Sequence, residues 1–499
     1  MAVIRKLFIA NRGEIAVRII RTARECGIRT VIGHSEADSS SVAVAMADEA
    51  ICLGPAEASE SYLRIEKVVG AAKSAGADAI HPGYGFLSER AELAAACEAA
   101  ELVFVGPSAA AMRLLGSKIE SKALAQKLGV PLVPGYFKPG ATDVQLSKAA
   151  GEIGFPVMLK ASAGGGGRGM RAVFSQAELG DQLRLASEEA QKAFGDGSMM
   201  VEKLIGRPRH IEAQVLADRH GQVAVLFERE CSLQRRHQKV IEESPTPFPG
   251  FETKIWPGMR EAVEKLIRAA GYSGAGTVEF IVDPESGAFY FLEVNTRLQV
   301  EHPVTEAITG LDLVSWQLRV AVGERLPDEL LKPRRIGHAI EARIIAEDPG
   351  AGFLPSVGEI LAWAEPRGPG IRVDTGFAAG QSVSRHYDSL IAKLIVHAET
   401  RGGAIAKLRL ALLDFHILGV QTNIPYLRDV VSHPAFAAGE FDTGFLGREF
   451  GAWAPSGELP LGLGALVATT SPSPTGAQRA ERVASAWDGA DSFRLLRPT

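Results

Sequence analysis

The chain predicts an α/β fold at its N-terminus that passes into a mixed α+β fold. Three observations carry this. Short apolar runs alternate with stretches of helical spacing over residues 1–117. A run of four glycines, Gly164 to Gly167, lies between two apolar runs. From about residue 205 to Glu399, strand-like segments predominate.

Lys6 to Ala10 reads as a buried strand, and Glu14 to Cys26 follows with helical spacing at Ile15, Ile19 and Ala23. Thr30 to His34, Ala77 to His81 and Leu102 to Gly106 are further short strands. Strands that alternate with helices in this way build a Rossmann-like parallel sheet. Lys118 falls in a helical stretch, where a solvated lysine is the ordinary reading. Phe155 to Lys160 and Met170 to Phe174 are apolar strands on either side of the glycines. Arg401 to Phe415 reads as a helix. From Gly451 the composition turns to Ala, Gly, Pro and Ser, which is linker-like.

Bulk properties bound the function. A length of 499 residues allows two to four structural units. The formal charge of −5 gives no reason to expect nucleic acid or an anionic membrane as partner. Cys26, Cys52, Cys97 and Cys231 lie far apart and show no metal-ligand spacing, so reduced thiols in the cytoplasm are expected. The N-terminus has charges too early for a signal peptide, and no apolar run approaches the ~20 residues of a membrane span.

Two segments carry chemistry. Four consecutive glycines cannot support a helix or a packed strand, but they let backbone N–H groups approach phosphate oxygens. Lys160 ends the preceding strand within reach of the same phosphates, and Arg168 adds charge. A flexible linker is the alternative. The pattern is neither a Walker loop nor a GxGxxG opening a helix, so a hairpin folding over nucleotide fits better. In Phe291 to Pro303, Glu293, Asn295 and Arg297 alternate with Leu292, Val294 and Leu298. Glu279 sits in an equally apolar strand, Thr277 to Val282. Two strand-borne carboxylates and an amide oxygen suit Mg²⁺, although two ordinary solvated strands have the same appearance. Pro303 favours an extended His302 and so holds Glu301 in a loop.

Together these features resemble the ATP-grasp ligases, in which a mobile glycine-rich lid closes over ATP while strand carboxylates hold Mg²⁺. Ile9 to Ala16, His81 to Glu89, Gln234 to Lys239 and Asn295 to Glu306 narrow the resemblance to the biotin carboxylase module of biotin-dependent carboxylases. The likeness runs from Val3 to Phe450. It implies an N-terminal Rossmann-like domain over 1–117, an ATP-grasp linker and glycine-rich lid over 118–204, and a mixed catalytic and C-terminal domain over 205–450. The tail, 451–499, would begin a connection to a docking domain, with a short helix at Ala477 to Trp487 and a strand at Ser492 to Arg497. Ser162-Ala163 stands where some members carry another glycine, a minor departure.

The resemblance also implies a reaction, the first half-reaction of an acetyl-CoA or other acyl-CoA carboxylase. ATP phosphorylates bicarbonate to carboxyphosphate, which carboxylates the ureido nitrogen of biotin. ATP, bicarbonate and Mg²⁺ or Mn²⁺ would be required. Lys118, Lys160, Gly165, Gly166, Gly167, Met170, Glu202, Lys203, Ile205, His210, Gln234 and His237 match nucleotide-contacting positions. Glu279, Glu293 and Asn295 match metal positions, and Lys239, Arg297, Gln299 and Val300 the bicarbonate pocket. Glu301 matches the base and Arg343 the arginine that faces biotin. On residues alone, Arg343 would be an exposed strand arginine paired with Glu341 or Glu347. The family's biotinylated lysine lies in a Met-Lys-Met setting, and no Met follows Met259, so biotin is expected on a separate carrier. The expected partners are a biotin carboxyl carrier protein or domain, a carboxyltransferase subunit and a second copy in a homodimer. Another ATP-grasp ligase that makes an acyl phosphate for amine attack, or a nucleotide-binding regulatory module, are the competing functions.

Overall fold

The computed structural model describes residues 3–138, 140–162 and 169–455. The glycines Gly164 to Gly167, Arg168 and the helix and strand expected after residue 476 lie outside the described residues.

The N-terminal segment forms a five-stranded parallel sheet in the order Glu49–Gly54, Arg29–Ser35, Lys6–Ile9, Ala79–His81, Val103–Phe104. The central strand puts Leu7, Phe8 and Ile9 wholly out of solvent, as the apolar run requires. The helix Gly13–Glu25 buries Ile15, Ile19 and Ala23, the three positions its spacing marks. The edge strand Glu49–Gly54 has no sequence signal of its own. Only Leu53 in it is buried, and pairing with Arg29–Ser35 supplies the order.

A small antiparallel sheet follows, ordered Gly135–Tyr136, Met199–Lys203, Val157–Ala161, Arg171–Val173. Leu159, Val157 and Val173 pack with Leu146 of the helix Asp143–Ile153 and Leu183 of the helix Gln176–Phe194. This sheet carries Lys160 on the strand that leads into the glycines.

The third sheet has eight strands in the order Phe289–Asn295, Gly274–Val282, Arg209–Ala217, Val223–Arg235, Gln238–Ser244, His338–Ile345, Leu390–Ala398, Ile371–Thr375. All of its pairings are antiparallel. Its register aligns Glu293 with Glu279, Glu279 with Glu212, and Glu212 with Arg229. Directly paired residues share a face, so one charged row crosses four strands.

Two expectations are corrected. The apolar face of the Phe289–Asn295 strand is Phe291 and Val294, not Leu292 and Val294. A bulge at Leu292, seen as a register shift between Glu279 and Phe280, breaks the two-residue period. His302 is not extended; it opens the helix His302–Thr309, with Pro303 in the first turn. There the missing N–H of proline costs nothing, because first-turn N–H groups have no helical partner. Glu301 still lies outside the helix, as its N-cap. The region before Glu399 also contains the helix Trp256–Ala269, whose buried Met259, Val263, Leu266 and Ile267 have helical spacing.

Phe280 holds the charged row against the core. It is fully buried and meets Phe289 and Phe291 edge-on at 5.7 and 6.2 Å. Phe280→Ala should cost about 3–5 kcal/mol, read as a fall in the denaturant midpoint. A change under about 1 kcal/mol would show that this packing does not support the sheet.

Candidate active site

The site grows from the charged row. Lys239, on the Gln238–Ser244 strand, sends its ammonium to three carboxylates: Glu212 at 2.5 Å, Glu279 at 2.9 Å and Glu301 at 2.6 Å. Glu212 and Glu301 are fully buried, so each needs a cation to remain ionised. Arg229 provides the second one for Glu212 at 2.6 Å and also donates to Gln214, Thr305 and Thr277. Burial opposes the charge on Lys239, yet the three carboxylates hold its ammonium well above the usual lysine range.

Glu301 is clamped from two sides. Arg343 donates to it at 3.0 Å and to Glu242 at 2.6 Å. The expected pairing of Arg343 with Glu341 or Glu347 is therefore corrected: the sheet register puts Glu242 across from Glu341, and Arg343 reaches over to Glu242 and Glu301. Burial works against ionisation of Glu301, but Lys239, Arg343 and Arg229 override it and hold its carboxyl well below the usual range. For Glu242 the balance reverses. Burial comes first, Arg343 opposes it, and the charge on Glu301 adds to it, so the carboxyl is pushed up to about 7.

Around these groups the loop after Asn295 folds back. Asn295 donates to Glu279 at 2.9 Å, and Arg297 donates to Asn295 at 3.2 Å and to Gln299 at 3.0 Å. Gln299 reaches Glu279 at 3.4 Å. Arg297 also meets Glu89 at 3.1 Å, which brings the His81 to Glu89 segment to the site. The carbonyl of Val300 accepts from Lys393 at 2.8 Å.

The nucleotide candidates divide into groups. His210 lies 2.9 Å from Glu279 through one ring nitrogen and 2.5 Å from Gln234 through the other. Burial disfavours its charge, but Glu279 raises its proton affinity above the usual histidine value. Lys118 meets Glu293 at 3.4 Å, which ties the start of the helix Lys118–Lys127 to the metal candidates. Lys160 binds Glu202 at 2.6 Å. Lys203 donates to the carbonyls of Gly154 and Phe155 at 3.0 and 3.1 Å. Ile205 and Met170 are half-buried beside the small sheet, without a polar role. His237 is exposed at the tip of the hairpin between Val223–Arg235 and Gln238–Ser244. Arg236 and His237 both take left-handed φ, 51° and 65°, where glycine or asparagine would be the easy choice. Gly165, Gly166 and Gly167 lie outside the described residues.

Glu279, Glu293 and Asn295 fit a divalent cation. They offer hard oxygen donors, Glu279 and Glu293 are register partners, and Glu293 keeps 30% of its side chain exposed. Burial disfavours ionised Glu279, but Lys239 and His210 hold its carboxyl well below the usual range, so it stays anionic. His210, Glu212 and Glu279 also bring one ligand atom each within 4.8 Å of one another. Glu212, Arg229 and Glu242 complete the site and escaped the motif reading. The signal for Glu212 and Gln214 was present, as polar residues at every second position of a nine-residue strand.

Three family profiles match the chain in sequence order. They are the biotin carboxylase N-terminal domain over residues 3–112, the carbamoyl-phosphate synthase L chain ATP-binding domain over 117–329, and the biotin carboxylase C-terminal domain over 341–448. The biotin carboxylase of Halalkalibacterium halodurans is 49% identical over 442 residues, 89% of this chain and 97% of that protein. The mitochondrial methylcrotonoyl-CoA carboxylase subunit alpha of Mus musculus is 49% identical over 444 residues, 89% of this chain but 62% of that protein. The chain thus spans about three-fifths of the length of such relatives. Among solved structures, the biotin carboxylase domain dimer of Hydrogenobacter thermophilus 2-oxoglutarate carboxylase, in complex with MgADP, ADP and bicarbonate, superposes with a TM-score of 0.86 at 46% identity. The match covers 90% of this chain and 98% of that one. The Campylobacter jejuni biotin carboxylase with β-γ-ATP gives 0.86 at 44% identity, over 90% and 99%. With near-complete coverage of a 49% identical biotin carboxylase and the family's domain profiles in order along the same fold, the chain belongs to the biotin carboxylase family of ATP-grasp ligases.

Proposed function

We propose that this chain phosphorylates bicarbonate with ATP and passes the carboxyl group to biotin held on a separate carrier. The observation that carries the reading is the clamp on Glu301. One buried carboxylate is held by Lys239 and Arg343, beside Arg297 and beside a hard-oxygen pair suited to a phosphate-bound cation.

Bicarbonate is an anion that must lose a proton before it can attack phosphorus. Lys239 and Arg297 supply two cations for it, and Gln299 and the Val300 backbone frame the same pocket. Glu301 is poised as a carboxylate and accepts the bicarbonate proton. Anion binding would draw Lys239 away from Glu301 and so raise the proton affinity of Glu301 at the moment a base is needed. The carbonate oxygen then bonds to the γ-phosphorus as the bond to ADP breaks. A divalent cation on Glu279, Glu293 and Asn295 would supply charge neutralisation for the phosphates. Lys118 and Lys160 add fixed positive charge from the neighbouring helix and sheet. Carboxyphosphate gives its carbon to the ureido nitrogen of biotin as its bond to phosphate breaks, and the released phosphate takes the ureido proton. Arg343, next to Glu301, faces the developing charge on the ureido oxygen.

Biotin would arrive on a carrier protein or domain, and a carboxyltransferase subunit would use the carboxybiotin, within an acyl-CoA carboxylase. Two copies would form a homodimer. Cys26, Cys52, Cys97 and Cys231 are all free thiols, which accords with a reducing compartment such as the cytoplasm. Among the described residues no helix is long and apolar enough to cross a membrane.

Glu301→Gln should remove bicarbonate-dependent ATP cleavage, by ~10²–10⁴-fold, with ATP affinity nearly unchanged. The glutamine keeps the shape but cannot take the proton, and wild-type cleavage in this variant would rule out the base assignment. Arg343→Ser should cut carboxybiotin formation more than ATP cleavage, by ~10²-fold or more if the arginine acts as an oxyanion donor. Equal losses in the two assays would place Arg343 in the bicarbonate or ATP step instead.

A further inference from the structure

Lys122 makes no contact with the cluster around Lys239. It lies one turn after Lys118 in the helix Lys118–Lys127 and is 2% exposed. A lysine so deeply buried needs a partner. Its ammonium sits 2.6 Å from Glu202 Oε1, in ion-pair contact although off the hydrogen-bonding direction. The other oxygen, Oε2, accepts an aligned hydrogen bond from Lys160, also at 2.6 Å. Glu202 is 1% exposed, so two ammonium groups hold one buried carboxylate.

The local structure fixes this arrangement. Met158 pairs with Glu202 and Lys160 with Met200 across adjacent strands, which puts Lys160 and Glu202 on one face of the small sheet. Lys122 reaches the other carboxylate oxygen from the helix Lys118–Lys127, with the Phe137 ring 5.8 Å from its ammonium. Lys160 retains some access to solvent and is the last but one residue of the strand that leads to the glycines, whereas Lys122 is closed in. Burial disfavours the charge on Glu202, but Lys160 and Lys122 overcome it and hold the carboxyl down at about 2. Burial lowers the proton affinity of Lys122, and Glu202 opposes that.

A buried carboxylate with one cation resists giving it up, because what remains is an unpaired charge in a poorly solvating place. With two cations it can share or release one at far smaller cost. We propose that Lys122 is a positioning residue for nucleotide binding: it neutralises Glu202 so that Lys160 can turn its ammonium to a phosphate of ATP. The inference rests on the assignment of Lys160 to phosphate. Lys122 touches no substrate; it acts through Glu202 on the availability of Lys160.

The test is a double-mutant cycle on the full chain, with affinity for ATP and Mg²⁺ measured by calorimetry and the KM for bicarbonate measured alongside. Lys122→Gln removes the charge, yet its amide can still donate to Glu202 and spare the fold. With Glu202 present, K122Q should weaken ATP binding on the order of tenfold, the size of one charge-assisted hydrogen bond, and leave the bicarbonate KM in place. In a Glu202→Gln background the same K122Q change should alter ATP affinity by no more than about twofold, the scatter of additivity. Lys160→Met serves as the reference. If K160M binds ATP like the wild type, the phosphate reading of Lys160 fails and this inference goes with it. If K160M binds weakly while K122Q binds normally, or K122Q costs the same in both backgrounds, this inference alone is overturned. A K122Q chain that cannot fold would make Lys122 a purely structural residue and overturn it as well.

Discussion

One ammonium group holds the catalytic half of this chain in register. Lys239 is bonded to Glu212 on the Arg209–Ala217 strand, to Glu279 on the Gly274–Val282 strand, and to Glu301 in the turn before the helix His302–Thr309. Each carboxylate is almost or entirely closed to water. Three such anions a few ångströms apart would repel strongly in a poorly polarisable interior. The lysine turns that repulsion into attraction toward a common point. Breaking a buried pair by removing one partner typically costs ~3–5 kcal/mol, and a single truncation of Lys239 would take a cation from three partners at once.

The same principle spreads outward from Lys239. Arg229 backs Glu212, and Arg343 backs Glu301 and Glu242. Lys393, fully buried, bonds the carbonyl of Val300 and lies 3.2 Å from Glu14 on the helix Gly13–Glu25. Arg18 of that helix meets Glu306 at 2.8 Å. The loop that bears Glu301 is thus tied by charge to the N-terminal helix Gly13–Glu25 as well as to its own sheet. The network also sorts its protons. Burial pushes Glu14 up to about 7 despite Lys393, and Glu242 up to about 7 despite Arg343, while Glu279 and Glu301 stay ionised. Glu301, which the proposed chemistry needs as an anion, has Lys239, Arg343 and Arg229 around it.

Much of this is legible in the sequence, for physical reasons that can be named. The strand–helix alternation of the first hundred residues shows because both faces of a parallel sheet are covered, so Lys6–Ile9 reads as one apolar run. Glu279, Glu293 and Asn295 stand out because a charged residue inside an apolar strand is unusual. Arg343 could not be placed from its own strand, since its partners Glu242 and Glu301 lie 101 and 42 residues away. Lys122 was silent for the same reason: on a helix, a lysine looks solvated until the fold sets Glu202 against it. The bulge at Leu292 and the helical His302 were misread because a two-residue period and a proline each give a local rule that tertiary context overrides.

Everything proposed for this pocket turns on whether bicarbonate attacks ATP within it, and the most direct measurement follows the oxygen. The chain is incubated with ATP, Mg²⁺, free biotin and bicarbonate labelled throughout with ¹⁸O, and the released phosphate is analysed by mass spectrometry. Each phosphate formed should carry one bicarbonate oxygen, because the bond made to phosphorus is never broken on the phosphorus side. Phosphate that carries only oxygen from ATP and solvent water would mean that water, not bicarbonate, is the nucleophile, and would contradict the roles of Lys239 and Arg297 as bicarbonate ligands and of Glu301 as its base.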